Sequence, residues 1–228
     1  LLNAVEEKNF RIARCGHSGH SSVRIENLTD HGVEGITCTI ETERDTYELA
    51  IDAPGEHMAH AAAIAVAVGE ALDIDRESII RGAAAYQPAG SRMRVLRMGE
   101  GRIVLDDCYN ASPDSMRAAL GVLGNFQCTG RKIAVLGDML ELGEHSAALH
   151  AAVGDMANNA GIDLLICYGE AAQGIAAQAK PLESFCTQDA DELTAKLQET
   201  VQEGDCVLFK ASHGMHLETI IERVFGAI

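Results

Sequence analysis

From Val23 to Asp52, apolar and polar residues alternate in three short bursts, VRIENL, GITCTIE and TYELAID. Ile36, Cys38 and Ile40 interleave with Thr37 and Thr39, the two-residue period of a strand with one buried and one wet face, and a polar turn around Glu43 to Asp45 precedes the third burst. The pattern predicts a three-stranded antiparallel meander. Pro54 and Gly55 end it, and HMAHAAAIAVAVGEAL follows as an Ala-rich helix whose small side chains allow close packing. Asp75 is placed to cap a second helix over roughly Arg76–Ala85.

The texture changes at YQPAGSRMR, where Pro88 and Gly90 break the helical pattern, so a domain boundary is expected there, giving domains 1–87 and 88–228. Beyond it come four apolar runs, RIVLDD, KIAVLGD, DLLICYG and DCVLFK, each followed by a helix-compatible stretch. Such continuously apolar strands are buried on both faces, and their alternation with helices predicts an α/β domain built on a doubly wound, mostly parallel sheet.

Composition narrows the function. The longest apolar run, Ala61 to Val68, is too short to cross a bilayer, and the first residues lack the order of a signal peptide, so the expected location is cytoplasmic, without membrane insertion. Seven cysteines occur singly and without CxxC spacing, which argues against a disulfide framework and a zinc knuckle. A formal net charge of -16 disfavours nucleic acid as a partner. The opening LLNAVEEKNFRIARCGHSGHSSVRI, with no start methionine, reads as an amphipathic helix end entering a strand, and predicts a piece of a longer chain.

Ligands of open α/β sheets bind beyond the carboxyl ends of the strands, and three of those loops carry chemistry. In LDDCYNASPDS, Ser112 fits an N-cap, Pro113 the first helical position and Asp114 the positive end of the helix dipole. Asp107, Tyr109 and Asn110 are the groups that capping leaves over; the plainer alternative makes Asp106 and Asp107 turn residues only. In GDMLELGEHS, Gly137 and Gly143 bracket Asp138 and Glu141, which suits close approach to a ligand or merely a solvated acidic loop. In KASHGMH, Lys210 leaves its strand as a cation, Ser212 offers a hydroxyl, and Gly214 is expected to open the last helix; a snorkelling lysine is the alternative. His57 and His60 share one helix face without an evident third metal ligand. Neither GxGxxG after a strand, GxxxxGK[ST], GxSxG nor HExxH occurs.

Together, LDDCYNASPDSMRAAL, GRKIAVLGDMLELGEHSAALH and VLFKASHGMHLE resemble the Mur ligases, and PGEHMAHAAAIAVAVG with AYQPAGSRM extends the likeness over nearly the whole chain. The resemblance implies that 1–87 is the α+β end of the family's central ATP-binding domain and 88–228 its C-terminal domain. It implies an ATP-dependent amide ligase of peptidoglycan precursor synthesis, in which a UDP-N-acetylmuramoyl-tripeptide is activated as an acyl phosphate and attacked by D-alanyl-D-alanine. ATP and Mg2+ are implied as well, with the P-loop and the main metal ligands upstream of Leu1, so the chain is expected to be inactive alone and monomeric. Carried onto this sequence, the motifs make His57, Arg92 and Asp107 nucleotide-side residues, and Tyr109, Asn110, Asp138, Glu141, Lys210 and Ser212 dipeptide-side residues. No catalytic residue and no metal ligand is assigned within the chain. Met58, Ala61, Ser91, Ala211 and His213 depart from the family pattern.

Two rival readings remain at this point. Asp106, Asp107, Asp138 and Lys210 also imitate the acidic pocket and lysine of a receiver-like phosphoacceptor module, and the departures on the nucleotide side suit a noncatalytic Mur-ligase-like binding protein.

Overall fold

The computed structural model describes residues 12–226, so the expected helix end before Ile12 lies outside the described residues. The chain divides into two compact units, Leu1–Gln87 and Pro88–Ile228.

In the first unit, β1 (Cys15–Gly16), β2 (Val23–Asp30), β3 (Ile36–Glu41) and β4 (Thr46–Ile51) form one sheet in that order. The meander β2-β3-β4 is antiparallel as expected, and the two-residue β1 adds a parallel edge that its brevity hid. Alternation decides the core: Ile36, Cys38 and Ile40 of β3 and Tyr47, Leu49 and Ile51 of β4 are buried with Ala59, Ala62, Ala63 and Val66 of helix His57–Ala71. A helix that buries alanines lets its backbone approach the sheet closely. Its outer face leaves Ile64 and Val68 exposed, and Leu72 just past its end is exposed as well. Helix Arg76–Ala84 starts where expected, the Asp75 carboxylate accepting from Ser78 N at 2.9 Å.

The second unit is a six-stranded sheet of order β5-β6-β10-β7-β8-β9, from β5 (Arg94–Arg97), β6 (Ile103–Asp107), β7 (Lys132–Gly137), β8 (Leu164–Tyr168), β9 (Ser184–Thr187) and β10 (Cys206–Lys210). Only β5 runs antiparallel to its neighbour. The four apolar runs are the four inner strands. β5 and β9 escape a hydrophobic-run reading because edge strands are short and half wet: RVLR and SFCT carry few apolar residues.

The chain steps from β6 to β7, β8 and β9 in one direction and returns from β9 to β10. Right-handed crossovers therefore put helices Pro113–Asn125, Ser146–Asn158 and Gln173–Gln178 on one face and helix Ala190–Thr200 on the other. The second face is the core of Val104, Ile133, Val135, Ile166, Val207 and Phe209, packed under Leu193, Leu197, Leu217, Ile220 and Ile221. The last helix begins at Leu217, not at Gly214; a single turn of 3-10 helix, His213–Met215, and a left-handed His216 (φ 53°) intervene. Among the described residues, no helix is long and apolar enough to cross a membrane.

Candidate functional site

The return of β10 between β6 and β7 is what assembles the site. Lys210 stands in register with Asp107 on one side and Leu136 on the other, so the loops after β6, β10 and β7 meet at one edge of the sheet. This is the carboxyl edge where open α/β sheets take ligands.

Lys210 does not reach out as a free cation. Its side chain is 2 % exposed, and Nζ donates to Asp107 Oδ2 at 2.6 Å and to the Asn110 carbonyl at 2.9 Å. Asp107 in turn accepts from Met93 N at 3.0 Å through Oδ1. The segment 91–93 runs along the loop, Tyr109 N donating to the Ser91 carbonyl at 3.0 Å. That clasp carries the exposed Arg92 guanidinium over the Tyr109 ring, 3.9 Å from its centroid, while the His213 ring lies 5.8 Å from Tyr109 and the same distance from His216. Arg92, Tyr109 and His213 thus form a solvent-facing stack of one guanidinium and two rings beside the buried ion pair. Asn110 is exposed, and its side-chain oxygen accepts from Ala111 N at 2.8 Å.

Below the loop, Asp106 is fully buried; Arg94 Nη2 lies 3.1 Å from its Oδ2, and Cys108 N donates to its Oδ1 at 3.3 Å. Burial first, and the Asp106 carboxylate second, push the Cys108 thiol far up, so the cysteine at the centre of this loop is a packing group without nucleophilic use. Ser112 caps helix Pro113–Asn125 in a reciprocal capping box with Ser115, as its spacing predicts.

The β7 loop is held from both sides. Ser212 N donates to the Asp138 carbonyl at 3.1 Å, and Ser212 Oγ accepts from Leu140 N at 2.9 Å. Between them, Met139 N donates to His150 Nε2 at 2.9 Å, while His150 Nδ1 donates to the Ser146 carbonyl at 2.8 Å. His150 is fully buried, and these two bonds select its neutral, Nδ1-protonated tautomer. The Asp138 carboxylate turns toward the β8 loop, accepting from Ala172 N at 2.7 Å, in the space that Gly169 leaves by lacking a side chain. Gly137 likewise has no room for a Cβ beside Ala211. Glu141 is exposed, in a left-handed conformation (φ 64°).

Of the residues singled out in the sequence, Arg92, Asp107, Tyr109, Asn110 and Lys210 gather in the ion pair and its stack, while Ser212, two positions beyond Lys210, bonds the β7 loop. Asp138 is spent on the β8 loop, which removes the support for a receiver-like phosphoacceptor: a carboxylate bonded to Ala172 N is a tether. His57 is exposed at the start of its helix in the first unit. Sequence reasoning missed the Met93 clasp, the Arg94–Asp106 pair and His150. A histidine four residues after Ser146 on an otherwise Ala-rich helical face was the one legible signal for the last. Among the described residues, no group of three or more His, Cys, Asp or Glu side chains could hold a metal ion.

The Mur ligase, glutamate ligase domain family matches residues 91–213. The UDP-N-acetylmuramoyl-tripeptide--D-alanyl-D-alanine ligase of Bacillus subtilis is 32% identical over 212 residues, 91% of this chain and 46% of the relative. A crystal structure of MurF from Acinetobacter baumannii superposes with a TM-score of 0.80 at 27% identity, over 91% of this chain and 45% of that one. MurF from Thermotoga maritima, solved in complex with ADP, has the same fold, with a TM-score of 0.77 at 24% identity over 92% of this chain and 47% of that one. The chain thus spans about half the length of the relatives it matches. A sheet edge built from the loops after β6, β7 and β10 coincides with the matched segment, and the chain belongs to the Mur ligase family.

Proposed function

We propose that this chain supplies the closing half of an ATP-dependent amide ligase that joins D-alanyl-D-alanine to a UDP-N-acetylmuramoyl-tripeptide in peptidoglycan precursor synthesis. The observation that carries the reading is the Lys210–Asp107 pair at the junction of three loops, flanked by the exposed Arg92–Tyr109–His213 stack. It sits within the matched family segment.

In this reading ATP activates the tripeptide's terminal carboxylate as an acyl phosphate, and the dipeptide's amine displaces phosphate. The chain's own residues bind, orient and exclude water. Arg92 presents a guanidinium edge to phosphate oxygens, a geometry suited to bidentate contact, and the Tyr109 ring beneath it limits its rotamers. Lys210 uses two of its three donors on Asp107 and Asn110, which holds the loop carrying Tyr109 in one conformation. Tyr109, Asn110, Glu141 and Ser212 border the place for the dipeptide, whose ammonium and carboxylate call for an acceptor and a donor respectively. Asp107 acts through its hold on Lys210, and Asp138 through the loop it tethers. For His57, the family resemblance alone supports a nucleotide-side role. Mg2+ would offset phosphate charge in the ligase. The described residues present no ligand cluster that fits it. Nor does the sequence contain a P-loop, so the chain by itself is expected to turn over no ATP.

The test is phosphate release by the whole gene product given ATP, UDP-N-acetylmuramoyl-tripeptide and D-alanyl-D-alanine. The reading expects release to require the dipeptide, and Tyr109→Ala to raise the KM for dipeptide about tenfold or more, the loss of one ring contact of about 1.4 kcal/mol. Release that ignores the dipeptide sinks the ligase reading in favour of a different hydrolase activity, and no release at all sinks it in favour of a noncatalytic binding role. A dipeptide KM untouched by Tyr109→Ala sinks only the placement of the dipeptide.

A further inference from the structure

Away from this site, β8 and β9 bring two thiols together. Cys167 and Cys186 are directly paired in the parallel register of the two strands. Adjacent strands lie about 4.8 Å apart, inside the Cα separation of about 4.4 to 6.8 Å that a disulfide spans. Registered partners share a face. Ile166 belongs to the core on one side of the sheet and Phe185 packs against that core, so Cys167 and Cys186 both point to the other side. Their environments differ. Cys167 is fully buried, and Cys186, on the edge strand, is exposed.

We propose that Cys186 and Cys167 are an oxidisable dithiol, a modification site for hydroperoxides such as hydrogen peroxide that closes to a cross-strand disulfide. The Cys186 thiolate attacks one peroxide oxygen, the O–O bond breaks, and the departing hydroxide takes a proton to become water, leaving a sulfenic acid on Cys186. The Cys167 sulfur then attacks the Cys186 sulfur; the S–O bond breaks, and the oxygen leaves as a second water with the Cys167 proton. Two thiols have lost two electrons and two protons, and one peroxide has been reduced.

Three features favour this pair over the remaining cysteines. Hydrogen bonding from the Cys167 thiol, outweighing the opposing effect of burial, draws the Cys186 thiol down to about 7, and the same bond, with burial, pushes Cys167 up, so Cys186 is the attacking thiolate and Cys167 keeps its proton until oxidation of Cys186 removes that bond. Burial raises Cys15, Cys38, Cys108, Cys128 and Cys206 instead. Cys167, sealed from solvent, meets oxidant only through its neighbour, which makes it the resolving thiol. The bond would also close beside the carboxyl end of β8, two residues before the Gly169 that accommodates Asp138, so oxidation touches the strand end that steadies the β7 loop.

The experiment treats the reduced chain with hydrogen peroxide, blocks remaining thiols and maps peptides by mass spectrometry. A Cys167–Cys186 cross-linked peptide is expected, with Cys15 and Cys128 still alkylatable. Cys167→Ala should leave a dimedone-reactive sulfenic acid on Cys186, and Cys186→Ser should abolish both products. In the unaltered chain at pH 7, Cys186 should alkylate at least about threefold faster than Cys128, its larger thiolate fraction being partly offset by lower nucleophilicity. Oxidation of Cys186 to sulfinic or sulfonic acid with Cys167 left free, a cross-link between other cysteines, or equal alkylation rates would each overturn the proposal.

Discussion

Lys210 Nζ lies 2.6 Å from Asp107 Oδ2, joining residues 103 positions apart, and the lysine side chain is 2 % exposed against 17 % for the aspartate. Taking either charge away leaves the other buried without its partner. Lys210→Met and Asp107→Leu should each destabilise the second unit by about 3 kcal/mol or more, and the Lys210→Met, Asp107→Leu double variant should lose less than the sum of the two single changes. Urea denaturation measures all three. Single variants within about 0.5 kcal/mol of the parent would mean that the pair is a solvated contact.

Met139 N donates to His150 Nε2 at 2.9 Å. His150→Phe keeps a ring in the buried space but leaves that amide unsatisfied, at a cost of about 1 to 3 kcal/mol. The sharper signature is local: amide exchange of Met139 should accelerate well beyond that of the core strands. Unchanged exchange at Met139 would show that the loop is held by Ser212 alone.

Gly169 adopts φ 123°, and any Cβ there would collide with the Asp138 carboxylate. Gly169→Ala should lower stability by about 2 kcal/mol through backbone strain and loss of the Asp138–Ala172 tether. Combining it with Asp138→Ala should recover the steric part and leave the strain. A thermal midpoint that Gly169→Ala does not move would count against both causes.

Asp189 caps helix Ala190–Thr200, its Oδ1 accepting from Asp191 N at 2.7 Å and Glu192 N at 2.9 Å. The Glu192 amide, then the Asp191 amide, hold this carboxyl below its ordinary range. Because the folded value is depressed, the contribution is complete above the ordinary aspartate value of about 3.9 and is lost as pH falls through the lower, folded one. The Asp191 and Glu192 amide resonances should therefore titrate with midpoints below about 3.9, and Asp189→Asn should keep the cap while abolishing that titration. Midpoints at or above that value would contradict the capping assignment.

Much of this architecture could be read from local pattern. The runs in β6, β7, β8 and β10 are legible because strands covered on both faces must be apolar throughout, and Ser112 with Pro113 announces a helix because its first amides need an acceptor. SFCT could not be read, since an edge strand satisfies neither a buried-run nor a clean alternation pattern. His150 was hidden for a different reason: its importance lies in a backbone amide eleven positions away, which no periodicity marks.

The sequence by itself determined the α/β class, the meander, the inner strands and the family, because each follows from side-chain period, turn chemistry or a contiguous motif. Only the tertiary structure decided that Lys210 is a buried partner of Asp107, that Asp138 faces Ala172, and that Cys167 meets Cys186. Those relationships depend on strand order and register, above all on β10 returning between β6 and β7, and register is settled by contacts between segments distant in the chain.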